Sequence, residues 1–137
     1  MRTLAITLSV LLCAGCVTVQ SRTPSGRVWG YFLELKDGSR GFAYYATPQE
    51  CQQKNAADKG IASSGTSPMV VSVATDCQTV AVTPGSGFYG FTNASGLSGW
   101  LFTRQDYCTA MQAQYTATYG RVVAVGQCIP LAVQVVP

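Results

Sequence analysis

The side chains with the strongest chemistry in this 137-residue chain are six cysteines and six carboxylates, and no histidine accompanies them. Cys51, Cys77, Cys108 and Cys128 are widely spread, whereas Cys13 and Cys16 stand three apart near the start. A structural zinc site is not expected among the four spread cysteines, which offer neither a histidine nor a C-x-x-C pair. Without histidine the usual general base near neutral pH is missing. Glu34, Asp37, Glu50, Asp58, Asp76 and Asp106 read as a strand face, a turn, helix ends and caps, not as an acid pair. Asp76, beside Cys77, has the least obvious local role. "PGSGFYG" (84–90) contains a literal G-x-G-x-x-G, but "FTNASGLSGW" follows it, a strand and turn instead of the helix that a dinucleotide site requires. It reads as a glycine-rich turn. The chain is therefore expected to be no enzyme and to use no metal or cofactor.

The address is clearer than the activity. Arg2 precedes an apolar run from Leu4 to Ala14, broken by Thr7 and Ser9 and closed by the small residues Ala14 and Gly15. That is the layout of a secretory signal peptide, and it is shorter than the roughly 20 apolar residues of a membrane span. Leu12-Cys13-Ala14-Gly15-Cys16 resembles the lipobox of bacterial lipoproteins. In that family signal peptidase II cuts before an invariant cysteine, which then carries diacylglycerol and an N-acyl chain such as palmitate. The resemblance covers residues 1–16 and departs at Cys13, where the family most often has leucine. It implies cleavage after Gly15, lipidation of Cys16 and stable anchoring, since several acyl chains hold a protein to a bilayer. Val17, where an aspartate favours inner-membrane retention, implies the outer membrane, with the protein facing the periplasm.

Four cysteines then remain in the mature chain, and an even number in an exported protein implies disulfides, with three connectivities open. Residues 16–27 read as the lipidated cysteine and a tether rich in Ser, Thr, Pro and Gly. Residues 28–137 hold six basic and six acidic residues, so the formal charge of +3 belongs to Arg2, Arg22 and Arg27. Nucleic-acid binding, which needs a basic patch, is not expected.

The domain reads as a duplication, about 28–84 and 85–137. "VVSVATDCQTVAV" (70–82) aligns with "RVVAVGQCIPLAV" (121–133), and "GFAYYATPQEC" (41–51) with "SGWLFTRQDYC" (98–108). In "WGYFLELKDGSRGFAYYA" alternating apolar residues flank Asp37-Gly38, a hairpin with a two-residue turn. Thr47-Pro48-Gln49-Glu50 is a helix start with cap, proline and capping-box glutamate, and Gly60 marks its stop. Thr103 to Asp106 repeats the start, and Gly120 ends the second helix. The expected fold is α+β: an antiparallel sheet or two-lobed barrel of two ββαβ-type repeats, with one helix and one disulfide each. The duplicated pattern selects Cys51–Cys77 and Cys108–Cys128 over pairs crossing between the halves.

The aromatic residues fall on the hairpin strands. Alternation sends adjacent Tyr44 and Tyr45 to opposite faces, so part of the set is expected to be exposed. Tyr44, Tyr45, Phe88, Tyr89 and Trp100 are the candidate binding surface. The expected function is a non-enzymatic, membrane-anchored envelope lipoprotein that binds an envelope protein. The alternatives are an inhibitor of a cell-wall-degrading enzyme such as lysozyme, entering its cleft with residues 85–100, and a module that binds glycan or peptidoglycan.

Overall fold

The computed structural model describes residues 26–93, 99–121 and 125–137. Cys13, Cys16 and the leader lie outside them. The alternating run that opens the mature domain forms strand β1 (Gly26–Leu35), which pairs antiparallel with β2 (Arg40–Tyr45) from Trp29↔Tyr45 to Glu34↔Arg40. Gly26 and Arg27, read from sequence as tether, are already in the ladder, opposite Val82 and Ala81. The hairpin loop is longer than two residues. Leu35 N–H donates to Ser39 O at 3.0 Å, Gly38 adopts φ +81°, and Asp37 Oδ1 accepts from Ser39 N–H and Oγ.

Helix α1 (Pro48–Ser63) follows, then β3 (Val70–Val73), β4 (Gln78–Asn93), β5 (Gly99–Phe102), α2 (Gln105–Tyr119) and β6 (Val125–Val135). The six strands make one antiparallel sheet in the order β3-β1-β2-β5-β4-β6. A further pairing of β1 with β4, Gly26–Gly30 against Val82–Gln78, joins β1, β2, β5 and β4 into a ring. The fold is thus α+β with two helices and two disulfides, Cys51–Cys77 and Cys108–Cys128, as the sequence predicts.

Both faces of the sheet are buried, because ring closure covers one and the helices cover the other. Val28, Phe42, Tyr44, Val80, Val82, Leu101 and Leu131 pack inside the ring. Tyr31, Leu33, Ala43, Tyr45 and Phe102 pack outward with Cys51 and Cys108 of the helices. Tyr44 and Tyr45 do point to opposite faces, but both are buried, at 2% and 7% exposure. The expectation that one of the pair is exposed is corrected on this ground.

Three local signals also resolve differently. Thr47 caps α1, its Oγ1 accepting from Glu50 N–H at 3.2 Å. Thr103 caps nothing: its Oγ1 accepts from Arg40 N–H at 3.1 Å and ties β2 to the end of β5, while Arg104 takes the position before α2 without a side-chain cap. Gly60 lies within α1, which continues to Ser63. "PGSGFYG" is no turn but part of β4, where the register against β6 shifts between Pro84 and Phe88 and Gly87 takes φ +115°. A glycine bulge bends a strand without ending it.

Candidate functional site

Each helix is fastened by two contacts one turn apart, α1 to the connection between β3 and β4 and α2 to β6. On α1 these are Cys51, bonded to Cys77, and Asn55, whose Nδ2 donates to Thr75 O at 3.0 Å. On α2 they are Cys108, bonded to Cys128, and Gln112, whose Nε2 donates to Gly126 O at 3.2 Å. Gln112 thus has a structural role. The helices pack on the strands and not on each other. Between them a groove of about 640 Å³ runs over the outer face of the sheet.

The groove is asymmetric. Its floor is Tyr45, Trp100 and Phe102, with Phe91 beside them. One wall is α1, which presents Glu50, Lys54 and Asp58; the other is α2, which presents Met111, Tyr115 and Tyr119. Both sets step by four residues, the spacing that stacks side chains on one helix face. The aromatic wall is continuous: Phe91 lies 5.5 Å from Tyr115, and Tyr115 lies 4.8 Å from Tyr119, centroid to centroid.

Of the five residues predicted as a binding surface, only Tyr45 and Trp100 line this groove. Tyr44 and Phe88 pack with the ring interior, and Tyr89 packs against the outer core. The helix faces were missed, although the four-residue steps Glu50-Lys54-Asp58 and Met111-Tyr115-Tyr119 carry the signal. The stretch 85–100, proposed as a cleft-entering loop, is β4 and β5 except for residues 94–98, which lie outside the described residues.

Charge is distributed unevenly around the groove. Among the described residues, Glu34 pairs with Arg40, Asp76 with Lys59, and Asp37 and Asp106 both with Arg104. Glu50 and Asp58 form no ion pair with a described residue, and both line the groove. Each pair has at least one solvent-exposed partner, so each contributes little to stability. Their ionisation nonetheless reflects the neighbours: Asp37 is held down to about 2, first by Ser39 and then by Arg104.

Under the floor runs a hydroxyl chain. Tyr31 OH donates to Asp58 Oδ2 at 2.6 Å and lies 3.3 Å from Tyr45 OH. Burial pushes both tyrosines above their ordinary value; the Asp58 acceptor adds to this at Tyr31, and the Asp58 and Glu50 carboxylates at Tyr45. Hydroxyls held neutral in this way donate hydrogen bonds and cannot serve as bases near neutral pH. The arrangement is suited to binding. No three Asp, Glu, Cys or His side chains converge on one point among the described residues.

These shifts fix the sign of an alkaline effect. Burial also raises Tyr44, to about 12. The unfolded chain releases its tyrosine protons near pH 10, before the folded chain does, so stability is full below pH 10 and falls as pH rises towards 12. The urea midpoint should therefore be lower above pH 11 than at pH 9, and Tyr44→Phe should make that difference smaller. An unchanged midpoint in the parent chain would contradict the burial of these hydroxyls.

Compared with known protein families, with curated proteins and with solved structures, the chain matches none.

Proposed function

We propose that the chain is a non-enzymatic lipoprotein of the bacterial cell envelope, anchored through Cys16 and facing the periplasm from the outer membrane, that binds another envelope protein through the interhelical groove. The observation that carries this reading is the groove itself, which lies between two helices that do not touch and opens onto Trp100 of the floor and Tyr119 of the α2 wall. Trp100 is half-buried there and Tyr119 is 49% exposed. Pockets of roughly 300–1,000 Å³ with apolar lining and few polar groups are the usual form of a recognition site. The lipobox-like leader and the two disulfides, which persist in oxidising compartments, support the location.

The chain is read further as a duplicated unit whose helix faces have diverged. Exchanging β1, β2 and β3 with β4, β5 and β6 leaves the sheet order unchanged. The anchoring contacts correspond too: Cys51 with Cys108, Asn55 with Gln112, and an acceptor carbonyl two residues before Cys77 and Cys128. Counting from the helix cysteines, Glu50, Lys54 and Asp58 answer to Tyr107, Met111 and Tyr115. One copy supplies the charged wall and the other the aromatic wall.

The test places a photo-cross-linking amino acid at Tyr115 and, as control, at exposed Lys36 in full-length protein in its own cells. The expected result is an adduct with one identified envelope protein from Tyr115 only, lost when Trp100→Ala is added. Cys16→Ser should move the protein from the membrane to the soluble fraction. An equal pattern at both positions, or no protein adduct, would overturn the groove; a Cys16→Ser protein that stays with the membrane would overturn the anchor.

A further inference from the structure

The charged wall has an order. Along α1 it reads negative, positive, negative at Glu50, Lys54 and Asp58. Four helical residues rise about 6 Å, so the two carboxylates are about 12 Å apart along the helix, with the ammonium between them. An extended chain repeats its same-side residues about every 7 Å and sends the alternate ones to the other side. A strand lying along the groove therefore brings every second side chain to α1, nearly in step with these charges. Its intervening side chains face α2, where Met111, Tyr115 and Tyr119 form an apolar wall.

Charge complementarity supplies the reason for a charged occupant. Four of the domain's six carboxylates are paired within the described residues, and the two that are not stand together at this wall. Asp58 has one oxygen engaged with Tyr31 and the other directed to no described donor. Half-buried Trp100 adds a face on which the stem of a lysine or arginine can lie.

We propose that the groove takes an extended peptide segment of the partner with a basic–apolar–acidic–apolar–basic pattern, its charged side chains meeting Glu50, Lys54 and Asp58 and its apolar ones the α2 wall. This rests on the groove being the protein-binding surface. The order of charges, and not net charge alone, selects the segment.

The test uses the mature chain as its cells make it, in nanodiscs of zwitterionic lipid, and calorimetric titration with capped peptides. The probes are Lys-Leu-Glu-Leu-Lys, the same residues reordered as Lys-Leu-Lys-Leu-Glu, the charge-reversed Glu-Leu-Lys-Leu-Glu, the all-basic Lys-Leu-Lys-Leu-Lys, and the tetramer of N-acetylglucosamine. The first peptide should bind roughly tenfold more tightly than the reversed one, and severalfold more tightly than the reordered one. Lys54→Glu is exposed and leaves the Tyr31–Asp58 bond intact. It should weaken Lys-Leu-Glu-Leu-Lys and make Lys-Leu-Lys-Leu-Lys the better ligand. Equal binding of all peptides, or an unchanged order in Lys54→Glu, overturns the charge pattern. If Tyr115 still cross-links one partner in cells, the protein-binding reading survives that failure. Absence of peptide binding up to about 1 mM also overturns the pattern. Binding of the tetrasaccharide alone, lost in Trp100→Ala, overturns both readings in favour of a glycan.

Discussion

Replacing Cys51 and Cys77 together by alanine is expected to lower the unfolding free energy by about 3–4 kcal/mol, and replacing Cys108 and Cys128 by nearly as much. The bridges close loops of similar size, with sequence separations of 26 and 20, so the chain-entropy model makes them nearly equal. Against a typical total of about 5–15 kcal/mol either loss is large, and losing both leaves a chain of this size at the margin of folding. The local consequences should differ. Without its disulfide α1 keeps Asn55 on Thr75 O, Asp58 on Tyr31 OH and the exposed Lys59–Asp76 pair. Without its own, α2 keeps Gln112 on Gly126 O and its packing on the strands. Amide exchange is therefore expected to speed up more along α2 in the Cys108/Cys128 variant than along α1 in the Cys51/Cys77 variant. Urea denaturation and exchange measured on both variants check this. A loss below about 1 kcal/mol in either would mean that the bridge adds little to a helix already fixed by packing.

The disulfides were legible because the same local pattern occurs twice: an aromatic strand, a polar helix start with cysteine, then a valine-rich strand with cysteine. Strands and helices followed from alternation and from Thr47-Pro48, signals that act within a few residues. The groove was not legible for a different reason. Its walls come from α1 and α2, some sixty residues apart in sequence, and nothing local states that the helices lie side by side over β2 and β5. Tyr44 was misread because alternation separates the two faces of a strand but does not say that ring closure covers the second one. Thr103 was misread because a threonine before a helix can cap it or bond elsewhere, and Arg40 of the neighbouring strand competes successfully for it. Each failure is a case of tertiary pairing overriding a local preference.

Ring closure also sets the most severe single substitution we expect. Gly30 faces the ring interior at the point where β1 crosses β2 and β4. A Cβ there would lie 2.2 Å from Phe42 Cζ and 2.5 Å from the carbonyl oxygen of Ala43. Phe42 is fully buried, with its ring 4.9 Å from Phe32 and 6.4 Å from Phe88, so it has little room to withdraw. Overpacking of this kind costs about 1–3 kcal/mol when side chains alone must move, and here a backbone carbonyl must move as well. Gly30→Ala is therefore expected to exceed 3 kcal/mol, comparable with the roughly 3–5 kcal/mol for truncating Phe42 to alanine. The two clashes can be separated. Phe42→Leu removes the far edge of the ring, so adding it to Gly30→Ala should relieve the first contact and make the double variant less unstable than the sum of the singles. It should not restore the parent stability, because Ala43 O remains in place. Full rescue would show that the side chain was the whole obstacle and that β1 and β2 can part without cost. The absence of any coupling would place Gly30 away from Phe42, and the closed ring would then be the wrong description of this sheet.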